Sequence, residues 1–285
     1  MLANTKTLLA EARRSGYAVG AFNIYNLEGA SAVVQTAEEM RSPVILQILP
    51  SALAVGKKPL VSLCLEMARG AEVPVAVHLD HCSNHETILY ALDCGFSSVM
   101  ADGSGLPFEQ NIAFTGNIVA AVKSRPGTAT IEAELGKLSG TEDGISVNHR
   151  QASMTSPDEA VMFVENTGID ALAVCIGNIH GHYPSDPELD FDRLESIAKK
   201  VTIPLVLHGT SGLPDEMILQ SITMGVCKFN VNTEVRHAYL DTLKEICTTK
   251  ENPELVELMQ HSIESMKKPV RSKITLFKSM NKAIS

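Results

Sequence analysis

The sequence lacks the features that mark several large classes of proteins. Basic residues do not predominate, since 24 Lys and Arg stand against 33 Asp and Glu and the formal net charge is −9. A nucleic-acid-binding protein needs a concentrated basic face, and only short Lys-Lys pairs occur. No apolar run approaches the roughly 20 residues that span a bilayer. We therefore expect neither a nucleic-acid partner nor a membrane association.

Paired cysteines and a secretion signal are also missing. None of the six cysteines forms a CxxC pair, and most lie within apolar runs. The N-terminal stretch MLANTKTLLAEARRSGYAV has no long apolar segment of the kind found in signal peptides. We therefore predict reduced thiols and a cytoplasmic location.

Short apolar runs alternate eight times with segments of helical period. Strands are predicted at 17–23, 43–48, 73–80, 97–102, 128–135, 171–177, 204–209 and 228–233. Helices are predicted at 26–41, 59–72, 84–94, 107–123, 156–168, 190–200, 214–224 and 234–249. This alternation is typical of an α/β fold of the (β/α)8 TIM-barrel type. We predict a single domain over residues 1–285, with 250–285 as a C-terminal helical tail.

The main alternative to the barrel is an open, doubly wound sheet. That fold would need a glycine-rich phosphate turn after the first strand, and AFNIYNLEG contains no GxGxxG. The barrel is therefore favoured. Residues 136–155 form the longest segment without a pattern, which is typical of a mobile functional lid.

Polar side chains gather at the ends of the predicted strands, where barrel enzymes place their active sites. They are Asp80, His81, Asp102, Glu132, Glu134, Asn178, His180, His208, Asn230 and Asn232. Three histidines that leave different strands, His81, His180 and His208, are able to form a catalytic zinc site with one open position. The alternative is that each histidine only forms hydrogen bonds in a loop.

Two further features concern the geometry of this rim. Asp80 and His81 are neighbours and would point to opposite faces of a strand unless the strand bends at its end. His78 lies deeper and is predicted to be a packed, structural histidine. HGTSGL at 208–213 and NVNT at 230–233 follow the last two strands, the usual phosphate site of such barrels. A plain tight turn is the alternative for HGTSGL.

These blocks resemble the class II, metal-dependent ketose-bisphosphate aldolases, near their tagatose- and fructose-bisphosphate branches. The blocks are GYAVGAFNIYNLE, HLDHC, EAELGKLSGTEDG, AVCIGNIHGHYP, LVLHGTSGL and KFNVNTE, in the family's order. The resemblance implies a reversible, zinc-dependent cleavage of tagatose or fructose 1,6-bisphosphate into dihydroxyacetone phosphate and glyceraldehyde 3-phosphate. A different ketose phosphate, cleaved by the same mechanism, is the alternative.

The resemblance also implies roles for individual residues. It makes His81, His180 and His208 the zinc ligands, Asp80 the group that exchanges a proton with the C4 hydroxyl, and Glu142 the acid–base group for the triose carbon. Substrate contacts fall on Gly181, Gly209, Thr210, Ser211, Asn230, Val231, Asn232 and Thr233. Asp102 and Glu134 match positions where some members hold a second or displaced metal.

Further expectations follow from the same family. Many members bind a monovalent cation, Na+ or K+, near the phosphate, and relatives are homodimers or homotetramers. The chain departs from the pattern at Gly105, where histidine is common, and at Ser139 and Thr141. These departures leave the predicted metal ligands intact, but they leave the sugar undetermined.

Two rival functions share the predicted barrel. A Schiff-base aldolase needs a lysine with a depressed pKa at the mouth, but Lys228 begins the last predicted strand and Lys137 lies in a loop. A barrel that only binds a metal or a sugar phosphate would need no acid–base pair. The presence of Asp80 and Glu142 argues against that role. The alternative for Asp80 is that it only orients a histidine, and the alternative for Glu142 is that it is a solvated loop residue.

Overall fold

Eight parallel strands close into a barrel in the computed structural model of the chain. They are β1 Val19–Asn23, β2 Val44–Ile48, β3 Val75–Cys82, β4 Ser98–Ala101, β5 Thr130–Leu135, β8 Ala171–Val174, β10 Leu205–Leu207 and β11 Val226–Val231. Their order around the barrel is β1-β11-β10-β8-β5-β4-β3-β2. The structure describes residues 1–127, 129–142, 145–147, 153–181, 183 and 186–283, and only the backbone of 139–142, 145–147 and 180. The predicted TIM barrel is confirmed.

Helices follow the barrel strands, as the alternation predicted. They are α1 Thr5–Ser15, α2 Leu27–Glu39, α3 Pro50–Gly70, α4 His85–Cys94, α5 Phe108–Lys123, α6 Pro157–Thr167, α7 Phe191–Lys200, α8 Asp215–Thr223, α9 Thr233–Thr249 and α10 Leu255–Leu276. Helix α6 begins after Ser156, whose side chain accepts from the Glu159 amide, and ends at Gly168 in the left-handed region. Both caps were predicted. None of the described helices is long and apolar enough to cross a membrane.

Two helices differ from the prediction. Helix α1 was not predicted; its Leu8, Leu9 and Ala12 pack into one buried cluster with inward-facing barrel residues such as Val19. Helix α3 begins nine residues before the predicted start, because its two halves meet at a kink where Lys57 has φ 47°. Pro59 follows this kink, since proline disrupts the preceding turn of a helix.

Helix α10 confirms the predicted helical tail and packs against α2 and α9. The ring of Phe277, at its end, is fully buried and stacks on that of Phe229 in β11, with 4.8 Å between ring centroids. The main apolar core lies between the strands and the surrounding helices. The tail therefore forms part of the wall around the barrel.

The segment predicted as the long loop 136–155 contains a β-hairpin. Its strands are β6 Ser139–Glu142 and β7 Ile145–Val147, and β6 pairs in parallel with β9 Ile179–His180. Residues 143, 144 and 148–152 of that segment lie outside the described residues. The loop prediction is therefore wrong for the two strands of the hairpin.

Candidate active site

The end of β3 brings two neighbouring side chains to the same barrel mouth. His81 has a positive φ of 38°, which a residue with a side chain rarely adopts. The pairing of β3 with β4 also shifts register between Leu79 and Cys82. This bend reverses the alternation expected of a regular strand, so that Oδ1 of Asp80 lies 4.0 Å from Nε2 of His81.

The carboxylate of Asp80 is fully buried and is held by three amide groups. Nδ2 of Asn23 and Nε2 of Gln47 each donate to Oδ2 at 3.0 Å, and Nδ2 of Asn230 donates to Oδ1 at 3.0 Å. Gln47 also donates to Oδ1 of Asn23 at 2.8 Å. A carboxylate with donors on both oxygens has a fixed orientation, which a proton-transfer group needs.

The imidazole of His81 is oriented by Asp102, at the end of β4. Nδ1 of His81 lies 2.9 Å from Oδ2 of Asp102, whose Oδ1 accepts from the amide and hydroxyl of Ser104. Burial would raise the pKa of Asp102, but the hydrogen bond and charge of His81 hold it well below its usual range. The ionised carboxylate therefore keeps a proton on Nδ1 and turns Nε2 toward Asp80.

The imidazole of His208, which follows β10, lies between two glutamates of β5. Its Nε2 is 2.9 Å from Oε1 of Glu132, and its Nδ1 is 3.1 Å from Oε2 of Glu134. Burial would raise the pKa of Glu132, but the charge of Lys228 and the hydrogen bond from His208 hold it well below its usual range. The rings of His208 and His81 meet edge to face, with centroids 4.5 Å apart.

The described part of this mouth carries an excess of negative charge. Only Lys228, among the described lysines and arginines, lies within ion-pair distance of the carboxylates of Asp80, Asp102, Glu132 and Glu134. Burial would lower the pKa of His81, but Asp80 and Asp102 raise it well above its ordinary value. A surplus of buried carboxylates stabilises a bound cation.

Two groups of side chains are arranged as metal ligands would be. One atom from each of Asp80, His81 and His208 lies within 4.8 Å of the others, and the same holds for His81, Asp102 and Glu134. Nitrogen and carboxylate ligands of this kind suit zinc. The structure thus brings together two of the three predicted zinc ligands, the predicted acid and both residues of the predicted second metal position.

The third predicted ligand and the predicted loop acid are placed only by their backbone. The pairing of β6 with β9 sets Gly140 opposite His180, and Glu142 lies two residues further along β6. The side chains of His180 and Glu142 lie outside the described residues. Their predicted roles as zinc ligand and acid–base group stay predictions.

The predicted phosphate loops lie side by side. The hydroxyl of Thr210 donates to the carbonyl of Asn230 at 3.0 Å, and Ser211 donates to Glu234 at 2.8 Å. Thr233 is the first residue of α9, and the N-terminus of a helix favours anions.

The other predicted substrate contacts lie in the same region. Gly181 and Gly209 both have positive φ. Asn232 accepts from the hydroxyl of Tyr25 at 3.0 Å. The side chain of Val231 is buried in the core, so only its backbone would contact a ligand. These positions remain predicted substrate contacts.

Several polar residues at this site were not among the predicted site residues. Asn23 and Gln47 occupy the last and next-to-last positions of β1 and β2. Each is a polar residue at the end of a buried strand, which is the same signal that identified Asp80. Lys228 is the third residue of β11 rather than the first residue of its strand, and its side chain is fully buried. A buried ammonium bonded to Glu132 and Asn230 is poorly placed for a Schiff base.

A closed parallel barrel with histidines and carboxylates at the carboxyl ends of its strands is the arrangement of a barrel enzyme. The model of the family "Fructose-bisphosphate aldolase class-II" matches residues 3–282. The chain belongs to this family. It is therefore an aldolase, an enzyme of the lyase class.

Curated relatives carry two different substrate names. The chain is 43% identical over 275 residues to the D-tagatose-1,6-bisphosphate aldolase subunit GatY of Klebsiella oxytoca, covering 95% of each chain. It is 41% identical over 283 residues to the sulfofructosephosphate aldolase of Alkalicoccus urumqiensis, covering 98% of this chain and 97% of that one. Both names describe aldolases of sugar phosphates.

Solved structures show the same fold over the whole length. The YdjI aldolase of Escherichia coli K12 superposes with a TM-score of 0.88 at 35% identity, covering 100% of both chains. The putative fructose-1,6-bisphosphate aldolase of Coccidioides immitis superposes with a TM-score of 0.92 at 33% identity, covering 98% of each.

Proposed function

We propose that this aldolase is zinc-dependent and reversibly cleaves tagatose or fructose 1,6-bisphosphate into dihydroxyacetone phosphate and glyceraldehyde 3-phosphate. The observation that supports it best is the convergence of Asp80, His81 and His208, whose ligand atoms lie within 4.8 Å of one another. The surplus of carboxylates around these residues fits a divalent cation. His81, His180 and His208 would hold it.

A zinc ion held there would act as a Lewis acid and stabilise the negative charge that develops on the substrate as the carbon–carbon bond breaks. Asp80 accepts the proton of the C4 hydroxyl during cleavage, and that hydroxyl becomes the aldehyde carbonyl of the released fragment. In condensation Asp80 returns the proton. Glu142 would transfer the second proton, to the carbon freed on the triose phosphate.

The loops after β10 and β11 would bind the phosphate of the triose half. Backbone N–H groups of Gly209, Thr210 and Ser211 and the N-terminus of α9 are donors of the type that bind phosphate. A monovalent cation, Na+ or K+, near this phosphate is part of the proposal. We also retain as predictions a homodimer or homotetramer, a cytoplasmic location, and a single aldolase domain with the tail 250–285.

A second candidate substrate is a ketose phosphate with a different far end. The similarity to a sulfofructosephosphate aldolase is almost as great as that to the tagatose-bisphosphate aldolase subunit. Both substrates would share the triose-phosphate half, which the β10 and β11 loops bind. The chemistry at Asp80 would be unchanged, and only contacts to the aldehyde half would differ.

The test is a steady-state assay of fructose 1,6-bisphosphate, tagatose 1,6-bisphosphate and sulfofructose phosphate, before and after treatment with a chelator. We expect cleavage that the chelator abolishes and added zinc restores. Borohydride treatment with substrate should give no covalent adduct. Cleavage that survives the chelator, together with trapping on a lysine, would establish the Schiff-base mechanism instead. A zinc-loaded protein that cleaves none of the three would contradict the proposed substrates.

A further inference from the structure

Lys228 is a fully buried cation that the proposed chemistry does not use. Its Nζ lies 3.1 Å from Oε1 and 2.9 Å from Oε2 of Glu132, and it donates to Oδ1 of Asn230 at 2.7 Å. Burying an ammonium and a carboxylate is costly even when they are paired. An apolar pair of similar size would fill the same space at less cost in free energy. The buried charges of Lys228 and Glu132 therefore indicate a role in the neighbouring site.

Each acceptor of Lys228 is bonded in turn to a residue of the proposed machinery. Oε1 of Glu132 lies 2.9 Å from Nε2 of His208, and Nδ2 of Asn230 donates to Oδ1 of Asp80 at 3.0 Å. We propose that Lys228 is a positioning residue that holds the metal ligand His208 and the proton-transfer residue Asp80 in fixed orientation at once. This inference rests on the proposed function.

The arm through Glu132 holds the imidazole of His208 in one orientation. A carboxylate only accepts hydrogen bonds, so the contact of Glu132 keeps a proton on Nε2 of His208. The ring then directs Nδ1 toward Glu134, at 3.1 Å. Lys228 holds Glu132 in this position by contacting both of its oxygens. A carboxylate that is bonded to a metal-ligating histidine and fixes its ring typically increases metal affinity.

The arm through Asn230 determines which end of an amide faces Asp80. Lys228 has only donors, so it must be met by the oxygen of Asn230. The NH2 group of Asn230 then points at the carboxylate of Asp80. Without the ammonium, the amide loses the contact that opposes its rotation, and its oxygen would repel Asp80 if it turned. The lysine therefore fixes one of the three donors that orient Asp80.

The competing explanation is that Lys228 only neutralises Glu132. The variants Lys228→Met and Lys228→Met with Glu132→Gln separate the two. Glutamine keeps an oxygen that accepts from His208, and the double variant has no unpaired charge at this pair, so it also serves if Lys228→Met fails to fold. Lys267→Met is the matched control, because Lys267 is 12% exposed and pairs with Glu39 at 2.6 Å on the outer helices.

Each variant is measured for zinc affinity by competition with a chelator and for kcat and KM at saturating zinc. We expect Lys228→Met to bind zinc about 10–100-fold more weakly. We expect kcat to fall about 10²-fold, because misplacement of a reacting group costs about that much, while KM changes less than kcat. The double variant should regain most of the zinc affinity but keep the low kcat, since Asn230 still lacks its partner.

Two results would overturn the inference while the wild type binds zinc and is active. One is a double variant with the kcat of the wild type, which would make Lys228 a neutraliser of Glu132 alone. Another is a Lys228→Met protein that matches Lys267→Met in both zinc affinity and kcat. A wild type that neither binds zinc nor cleaves substrate would instead refute the proposed function.

Discussion

Asp80 and His81 are adjacent in sequence, and yet both side chains lie in the barrel mouth, with 4.0 Å between Oδ1 and Nε2. The left-handed backbone of His81 makes this arrangement possible. Such a conformation costs about 1–3 kcal/mol at a residue other than glycine, and it persists where the surroundings enforce it. The bond from His81 to Asp102 and the three donors to Asp80 supply that enforcement. The bend thus places a proton-transfer group beside a proposed metal ligand.

The first prediction separates these two roles. Asp80→Ala should keep bound zinc but reduce turnover by about 10²–10⁴-fold, because general acid–base catalysis contributes about that much. Metal content after gel filtration and kcat on the preferred ketose phosphate are the two measurements. A variant that loses zinc along with activity would show that Asp80 serves the metal site rather than proton transfer.

The second prediction concerns the partner of His81. Asp102→Asn should weaken zinc binding about 10–100-fold, because an amide replaces the ionised partner of a proposed metal-ligating histidine. Ser104→Ala is the matched control. It removes the hydroxyl that donates a hydrogen bond to Oδ1 of Asp102 but keeps the hydrogen bond between the carboxylate and Nδ1 of His81. Chelator competition should give a much smaller change for that variant, and equal zinc affinity in Asp102→Asn and the wild type would rule out this role.

The sequence predicted the barrel and the polar rim because both depend on simple periodicities. Apolar runs mark the strands, and the polar residue that ends each run marks the mouth, as at Asp102 and His208. The direction of the side chains at the end of β3 was not predictable, because the bend at His81 goes with a register shift in the pairing of β3 with β4. The depth of Lys228 was misjudged for a related reason. The last strand was predicted to begin at residue 228 but begins at residue 226, so the lysine lies inside the barrel rather than at its end.

The elements that the pattern missed depend on contacts distant in sequence. The hairpin of β6 and β7 gains its third strand from β9, about 40 residues further on in the chain. Helix α1 contributes only three residues, Leu8, Leu9 and Ala12, to its buried apolar cluster. It is stabilised by the packing of these residues against barrel residues. Tertiary packing of this kind outweighs local propensity.

The third prediction tests whether the tail is part of the barrel wall. Phe277→Ala should destabilise the protein by about 3–5 kcal/mol, because it empties a fully buried site against Phe229. Phe277→Leu is the control and should cost less than about 1.5 kcal/mol if leucine fills most of the space. Urea unfolding measures both. A loss below about 1 kcal/mol for alanine would show that the tail contributes little.

The fourth prediction is a pH dependence that arises from His78, which is fully buried beneath the mouth. Its Nδ1 lies 2.7 Å from the hydroxyl of Ser98. Burial, and then the charge of Lys228, lower the pKa of His78 from 6.5 to about 4, against the opposing effect of Glu132 and Asp80. The folded state therefore favours neutral His78, whereas the unfolded chain binds a proton below about pH 6.5.

The sign of the effect follows from this difference in proton binding. The contribution of His78 to stability is fully present above pH 6.5 and is lost as the pH falls toward 4, because only the unfolded state gains a proton there. A shift of this size corresponds to about 3 kcal/mol. Urea unfolding at pH 7, 5.5 and 4 in the presence of a chelator compares the wild type with His78→Asn, which keeps polar groups near Ser98 but does not titrate. The wild type should lose about 3 kcal/mol more than the variant over this range, whereas parallel losses would mean that His78 is not held neutral by the fold.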